Sequence, residues 1–147
     1  SAFNVIPATA IIGGTLRTMK AETRLRMIDE IETTAKNAAA TLGCDVSMEL
    51  RPGYPPTLNH ESDALFARDI ITDMLGADGL ETSMTPVMGA EDFSFMLEKK
   101  PGAYIWLGAG LQSENLHSPH FDFNDDLLPI GASFWVQLAQ SKLTQST

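Results

Sequence analysis

One polar stretch of this 147-residue chain, Gly108 to Asp126, holds Glu114, His117, His120, Asp122, Asp125 and Asp126. Imidazole and carboxylate are the donors that zinc, manganese and nickel accept, and connections of this length in a compact domain are commonly functional. Neither H-x-x-E-H nor H-E-x-x-H is present, so on spacing alone the acids and histidines are better read as solvating a surface loop. Three other positions invite the same question. Glu91 and Asp92 stand just before Phe93 at a helix start, where two acids complement the positive end of a helix, worth about 0.3–1 kcal/mol, or else do chemistry as carboxylates. Arg17 lies on a strand whose opposite face is apolar; it is a surface ion-pair partner or a planar fork that grips an anionic group. Asn4, before Val5-Ile6-Pro7, is a turn residue or a polar contact to a ligand.

The elements that must position these residues follow from periodicity. Ala10 to Thr18 alternates as a strand, with the Gly13-Gly14 pair marking an edge, a bulge or a close approach. Ala21, Leu25, Ile28, Ile31, Ala35, Ala38 and Leu42 form one apolar helical stripe that Gly43 ends. Val46, Met48 and Leu50 alternate with polar residues as a second strand. Arg51-Pro52-Gly53-Tyr54-Pro55-Pro56 cannot continue a helix or a central strand and marks a domain boundary, giving domains 1–52 and 53–147. Beyond it, Ser62 or Asp63 is expected to cap a helix carrying Leu65, Phe66, Ile70, Met74 and Leu75, stopped by Gly76. Residues 83–88 read as a short strand, and Glu91 to Lys99 as a short helix. Ala103 to Leu107 reads as a strand buried on both faces. After the polar loop a last helix carries Ile130, Phe134, Trp135 and Leu138, with Pro129 in its first turn. The order predicts an α/β fold, in which ligands bind beyond the carboxyl ends of the strands, where the loop lies.

Composition narrows the function classes. A net charge of −9 without a Lys/Arg cluster excludes a nucleic-acid partner. No apolar run reaches the ~20 residues of a membrane span, and no signal-peptide pattern opens the chain; a cytoplasmic protein is expected. The single cysteine, Cys44, permits no internal disulfide and is expected to be a small buried apolar residue. The sequence starts at Ser1 almost directly in a strand, which suggests that a segment precedes it.

Four strings, Asn4-Val5-Ile6-Pro7, Gly14-Thr15-Leu16-Arg17-Thr18, Gly89-Ala90-Glu91-Asp92-Phe93-Ser94 and Leu116-His117-Ser118-Pro119-His120-Phe121-Asp122-Phe123-Asn124, occur in one order across nearly the whole chain. Together they resemble the hippurate hydrolase, auxin-conjugate amidohydrolase and aminoacylase/carboxypeptidase group of metallopeptidases. The resemblance implies the C-terminal part of a zinc-peptidase-like α/β/α catalytic domain, preceded by the second half of an α+β (ferredoxin-like) lid or dimerisation domain. It implies His117 as a ligand of a divalent metal pair (zinc, manganese or nickel), and Asn4 and Arg17 as lid residues that hold the substrate's carbonyl oxygen and carboxylate. Glu91 is implied as a supporting acidic residue near the metals, while His120 and His60 stay surface histidines. The implied activity is hydrolysis of an N-acyl amino acid amide by metal-activated water, in a homodimer formed through the lid.

The departure from the family pattern is as informative. Its remaining ligands, a cysteine, two histidines and a glutamate, and its general base belong to an N-terminal catalytic segment, in cis or on a separate chain, that this sequence does not include. This chain alone is therefore expected to be inactive. The alternative is a non-catalytic oligomerisation module, or a truncated gene product without metal, that associates through the Gly13-Gly14 strand edge.

Overall fold

In the computed structural model the described residues are 3–144, and the chain divides between Pro56 and Thr57 into two compact units. The first is organised on one helix, α1 (Ala21–Thr41). Its sequence holds no Gly or Pro, Glu22 complements the first turn, and Lys36 pairs with Glu32 one turn earlier at 2.6 Å. The helix stops where expected. Gly43 takes φ 65°, its N–H bonds the Ala40 carbonyl, and the Cys44 N–H bonds that of Ala39. That pair of bonds is a Schellman end, and it needs a residue free to adopt the left-handed region. Arg24 donates to the Tyr54 carbonyl at 2.7 Å and so ties the proline-rich segment to α1.

The apolar stripe of α1 is in place but uncovered: Leu25 and Leu42 are 70% and 80% exposed, and the helix has no buried residue. Cys44 is exposed, which corrects the expectation of a buried thiol: the residue lies in the turn that ends α1, beside the exposed Leu42.

The second unit contains α2 (Glu61–Leu75), a short 3₁₀ turn (Ala77–Gly79), α3 (Phe93–Leu97) and α4 (Leu127–Thr144). Helices α2 and α4 pack on each other. Ala67, Ile70 and Phe134 are buried between them, flanked by Phe66, Ile71, Met74 and Leu138. Fully burying side chains of the larger kinds is worth about 1.5–3 kcal/mol each, so this cluster is the main source of cohesion. Lys142 lies 4.8 Å from the centre of the Phe66 ring and closes the end of the pair.

Three helix limits differ from expectation. The N-cap of α2 is His60, with no side-chain cap. Ser62 and Asp63 fall inside the first turn, where Asp63 and Glu61 act on the dipole instead. Helix α3 is five residues long, against the expected 91–99, because Glu91 uses its side chain and carbonyl to bond the residues that follow it. Pro129 sits in the first turn of α4, where its missing N–H costs nothing.

The larger correction concerns the strands. Among the described residues none is in a β-ladder, and the segments 10–18, 46–50, 83–88 and 103–107 run without regular structure. A strand exists only by pairing with a neighbour, and a strand buried on both faces needs neighbours and covering layers. Trp106 is accordingly 55% exposed instead of buried. The total accessible surface is 12652 Å², whereas two compact bodies of these sizes would together expose about 9,000 Å². Much apolar surface thus lacks a covering layer. No helix among the described residues is long and apolar enough to cross a membrane.

Candidate functional site

The polar loop is more ordered in its bonding than its composition suggests. Asn124 donates from Nδ2 to the Ala109 carbonyl at 3.3 Å, and its Oδ1 accepts the Asp126 N–H at 3.1 Å. One side chain therefore closes the neck of the loop and turns the chain just before α4. Inside the loop two turns share Ser118. Its N–H bonds the Asn115 carbonyl at 3.0 Å, and its own carbonyl accepts the Phe121 N–H at 3.1 Å. Pro119 takes the second position of the later turn, which its fixed φ suits. The Ser118 hydroxyl also accepts the His120 N–H at 3.2 Å.

His117 occupies the third position of the earlier turn with φ 71°, the one non-glycine residue in the left-handed region among those described. For an L-residue that conformation costs roughly 1–2 kcal/mol, and such outliers concentrate at functional positions. Its side chain is exposed. The chain thus presents the His117 imidazole outward from a pinned loop, with the exposed His120 three residues on. Glu114, His120, Asp122, Asp125 and Asp126 do not converge on it: among the described residues no three His, Cys, Asp or Glu side chains gather closely enough to hold a metal. Structural and catalytic metal sites draw at least three protein ligands. The residues present fit the contribution of one ligand and not a complete site.

Glu91 is the other organised position. Its Oε1 accepts the Phe93 N–H at 3.2 Å and its Oε2 accepts the Tyr104 hydroxyl at 2.9 Å. Its carbonyl accepts both the N–H and the hydroxyl of Ser94, whose side chain is fully buried. The Phe93 N–H first, and then the Tyr104 hydroxyl, hold the Glu91 carboxyl below its usual range; the same bond pushes the Tyr104 phenol up. The Tyr104 ring lies between Phe93 and Trp106, at 5.8 and 5.7 Å between centroids.

Sequence reading missed Tyr104, and it missed what sets it. Asn59 donates to the Tyr104 carbonyl at 2.8 Å and accepts the Tyr104 N–H at 2.7 Å. His60, read as a plain surface histidine, is exposed, yet its N–H bonds the Gly102 carbonyl at 3.0 Å and its Nδ1 accepts the Gly102 N–H at 3.3 Å. Asn59 and His60 therefore occupy the places a neighbouring strand would take along 102–104. No local signal marks this pairing; the partners are more than forty positions apart, as the 45-residue separation of Asn59 and Tyr104 shows.

Asn4 and Arg17 belong to the first unit. Asn4 is exposed in a turn. Arg17 is exposed, and its Nη1 donates to the Thr15 hydroxyl at 3.2 Å. Glu91 and His117 belong to the second unit.

Comparison with known proteins adds a different kind of observation. The profile of the peptidase family M20/M25/M40 matches residues 6–141. The chain is 34% identical to the IAA-amino acid hydrolase ILR1-like 4 of Arabidopsis thaliana over 152 residues, covering 98% of this chain and 34% of that protein. It is 33% identical to the hippurate hydrolase of Campylobacter jejuni subsp. jejuni over 141 residues, covering 94% and 36% respectively. Against the N-acetyldiaminopimelate deacetylase of Streptococcus suis it is 34% identical over 128 residues, covering 86% and 33%. The chain spans about a third of the length of these curated relatives.

Proposed function

Because this chain belongs to the peptidase family M20/M25/M40, we propose that it forms the substrate clamp and one metal ligand of an amidohydrolase that splits N-acyl amino acids. The relatives named for hydrolysis of IAA-amino acids and hippurate support that substrate class, since both are amides bearing a free carboxylate. One structural observation carries the residue-level reading. His117 is held in a costly backbone conformation on a loop whose neck Asn124 closes, an arrangement suited to presenting a ligand and unneeded for a solvated loop.

In the whole protein a divalent metal pair (zinc, manganese or nickel) would polarise the amide carbonyl and activate water. This chain's own residues do the rest of its share. His117 contributes one neutral nitrogen. Arg17, exposed with only a weak local partner, pairs through its planar fork with the substrate carboxylate. Asn4 donates to the carbonyl oxygen as negative charge develops there. The uncovered runs at 10–18, 46–50, 83–88 and 103–107 complete their α/β sheets against the remainder of the protein, and the lid half associates as a homodimer.

The test is hydrolysis of hippurate and related N-acyl amino acids by the full-length protein, with Arg17→Ala beside the wild type. The expected result is a KM raised on the order of 10-fold or more and a smaller change in kcat. Unchanged KM for a carboxylate-bearing substrate would remove Arg17 from the clamp, and absence of turnover would overturn the reading as a whole.

A further inference from the structure

We infer that Asn59 and Tyr104 are positioning residues whose hydrogen bonds hold the Glu91 carboxylate as a fixed acceptor, a role that rests on the amidohydrolase reading above. The chain of contacts runs in one direction. Asn59 grips the Tyr104 main chain from both sides, at 2.8 and 2.7 Å, and His60 does the same to Gly102. With its backbone set and its ring between Phe93 and Trp106, Tyr104 has little choice of where to aim its hydroxyl. It meets Glu91 Oε2, while the Phe93 N–H meets Oε1.

Each carboxylate oxygen thus receives one donor and keeps lone-pair capacity for another. A carboxylate held this way favours the ionised form, which makes it a poor proton carrier and a good anchor for a donor such as the free N–H of a metal-bound imidazole. Tyr104 and Asp92 are the titratable groups that face it. Helix-dipole complementation does not account for the arrangement, because α3 has five residues and the dipole effect grows from aligned turns. The network also links the start of α2 to the segment before α3.

The experiment uses the full-length protein with hippurate as substrate, measuring kcat and KM across about pH 5 to 9. Tyr104→Phe is expected to lower kcat on the order of 10-fold, as loss of a partner behind a site residue does, with KM moved less than about twofold. It should also carry the acid limb of the profile to higher pH, because one donor that keeps Glu91 ionised is gone. Asn59→Ala should move both quantities the same way and less. A merely structural role would lower the melting temperature and leave the acid limb in place, and that result in an active enzyme overturns the proposal. Should Asn59→Ala not fold, Asn59→Asp, which keeps the acceptor for the Tyr104 N–H, takes its place. The contact is also read without turnover. Glu91→Gln must bring the phenolate absorbance of Tyr104 to lower pH, and an unmoved titration overturns the proposal whether or not the wild type hydrolyses anything.

Discussion

The two units of this chain both carry amphipathic helices and differ in burial. Every buried residue among those described, Ala67, Ile70, Ser94, Leu97, Leu127 and Phe134, lies in the second unit, while α1 of the first buries none. Both α1 and α2 carry apolar stripes at helical spacing. The difference is that α2 finds its complement in α4, whereas α1 buries no residue within its own unit among the described residues. An amphipathic pattern states a demand for a partner; only the partner turns it into stability, because most helical stability in proteins comes from packing the amphipathic face.

Substitution separates the two regimes most sharply. In this chain Phe134→Ala is expected to cost about 3–5 kcal/mol, and Ile31→Ala less than about 1 kcal/mol, read from urea unfolding followed by circular dichroism. Equal losses would show that α1 is covered after all. In the full-length protein the Ile31→Ala loss should rise toward about 2–5 kcal/mol, which would place the missing partner of α1 outside these residues.

A smaller contrast sits within the second unit. His117→Gly should leave the unfolding free energy within about 1 kcal/mol of wild type, since relief of the left-handed conformation roughly offsets the added freedom of the unfolded chain. The same change should abolish hydrolysis by the full-length protein. A stability loss as large as that of Phe134→Ala would instead make His117 a packing residue.

The smallest effect is one of pH. The Glu91 carboxyl is lowered and the Tyr104 phenol raised by their shared bond. The stability tied to Glu91 is therefore present above the unfolded carboxyl's pKa and lost as pH falls through the lower folded one. That tied to Tyr104 is present below the unfolded phenol's pKa and lost as pH rises through its raised folded one. The stability difference between wild type and Tyr104→Phe should thus be flat across neutral pH and shrink at both extremes. A difference independent of pH would mean that the hydroxyl acts through packing alone.

These contrasts also explain what could be read from residues alone. The three longer helices were legible because their apolar positions recur every three or four residues, and Gly43 and Gly76 mark their ends by backbone freedom. The family was legible because four short strings occur in one order. The strands were legible as patterns and not as structure: Ala103–Leu107 has the composition of a central strand, but no described residue pairs with it in a β-ladder. The Asn59–Tyr104–Glu91 relay was invisible, since hydrogen bonds across forty-odd positions leave no periodic trace. His117 and His120 could be told apart only by resemblance; the structure adds that His117 alone pays for its backbone angle.

The neck that Asn124 closes has a bearing on how such a loop can change over time. Bringing the ends of a flexible segment together costs free energy that grows only logarithmically with its length, about 0.6 kcal/mol per doubling. With the ends already joined at Ala109 and Asn124, insertions or deletions between them would hardly register in α4. Outside the two bonded turns at 115–121, the loop is thus a place where length can drift cheaply, and with it the reach of the surface around His117.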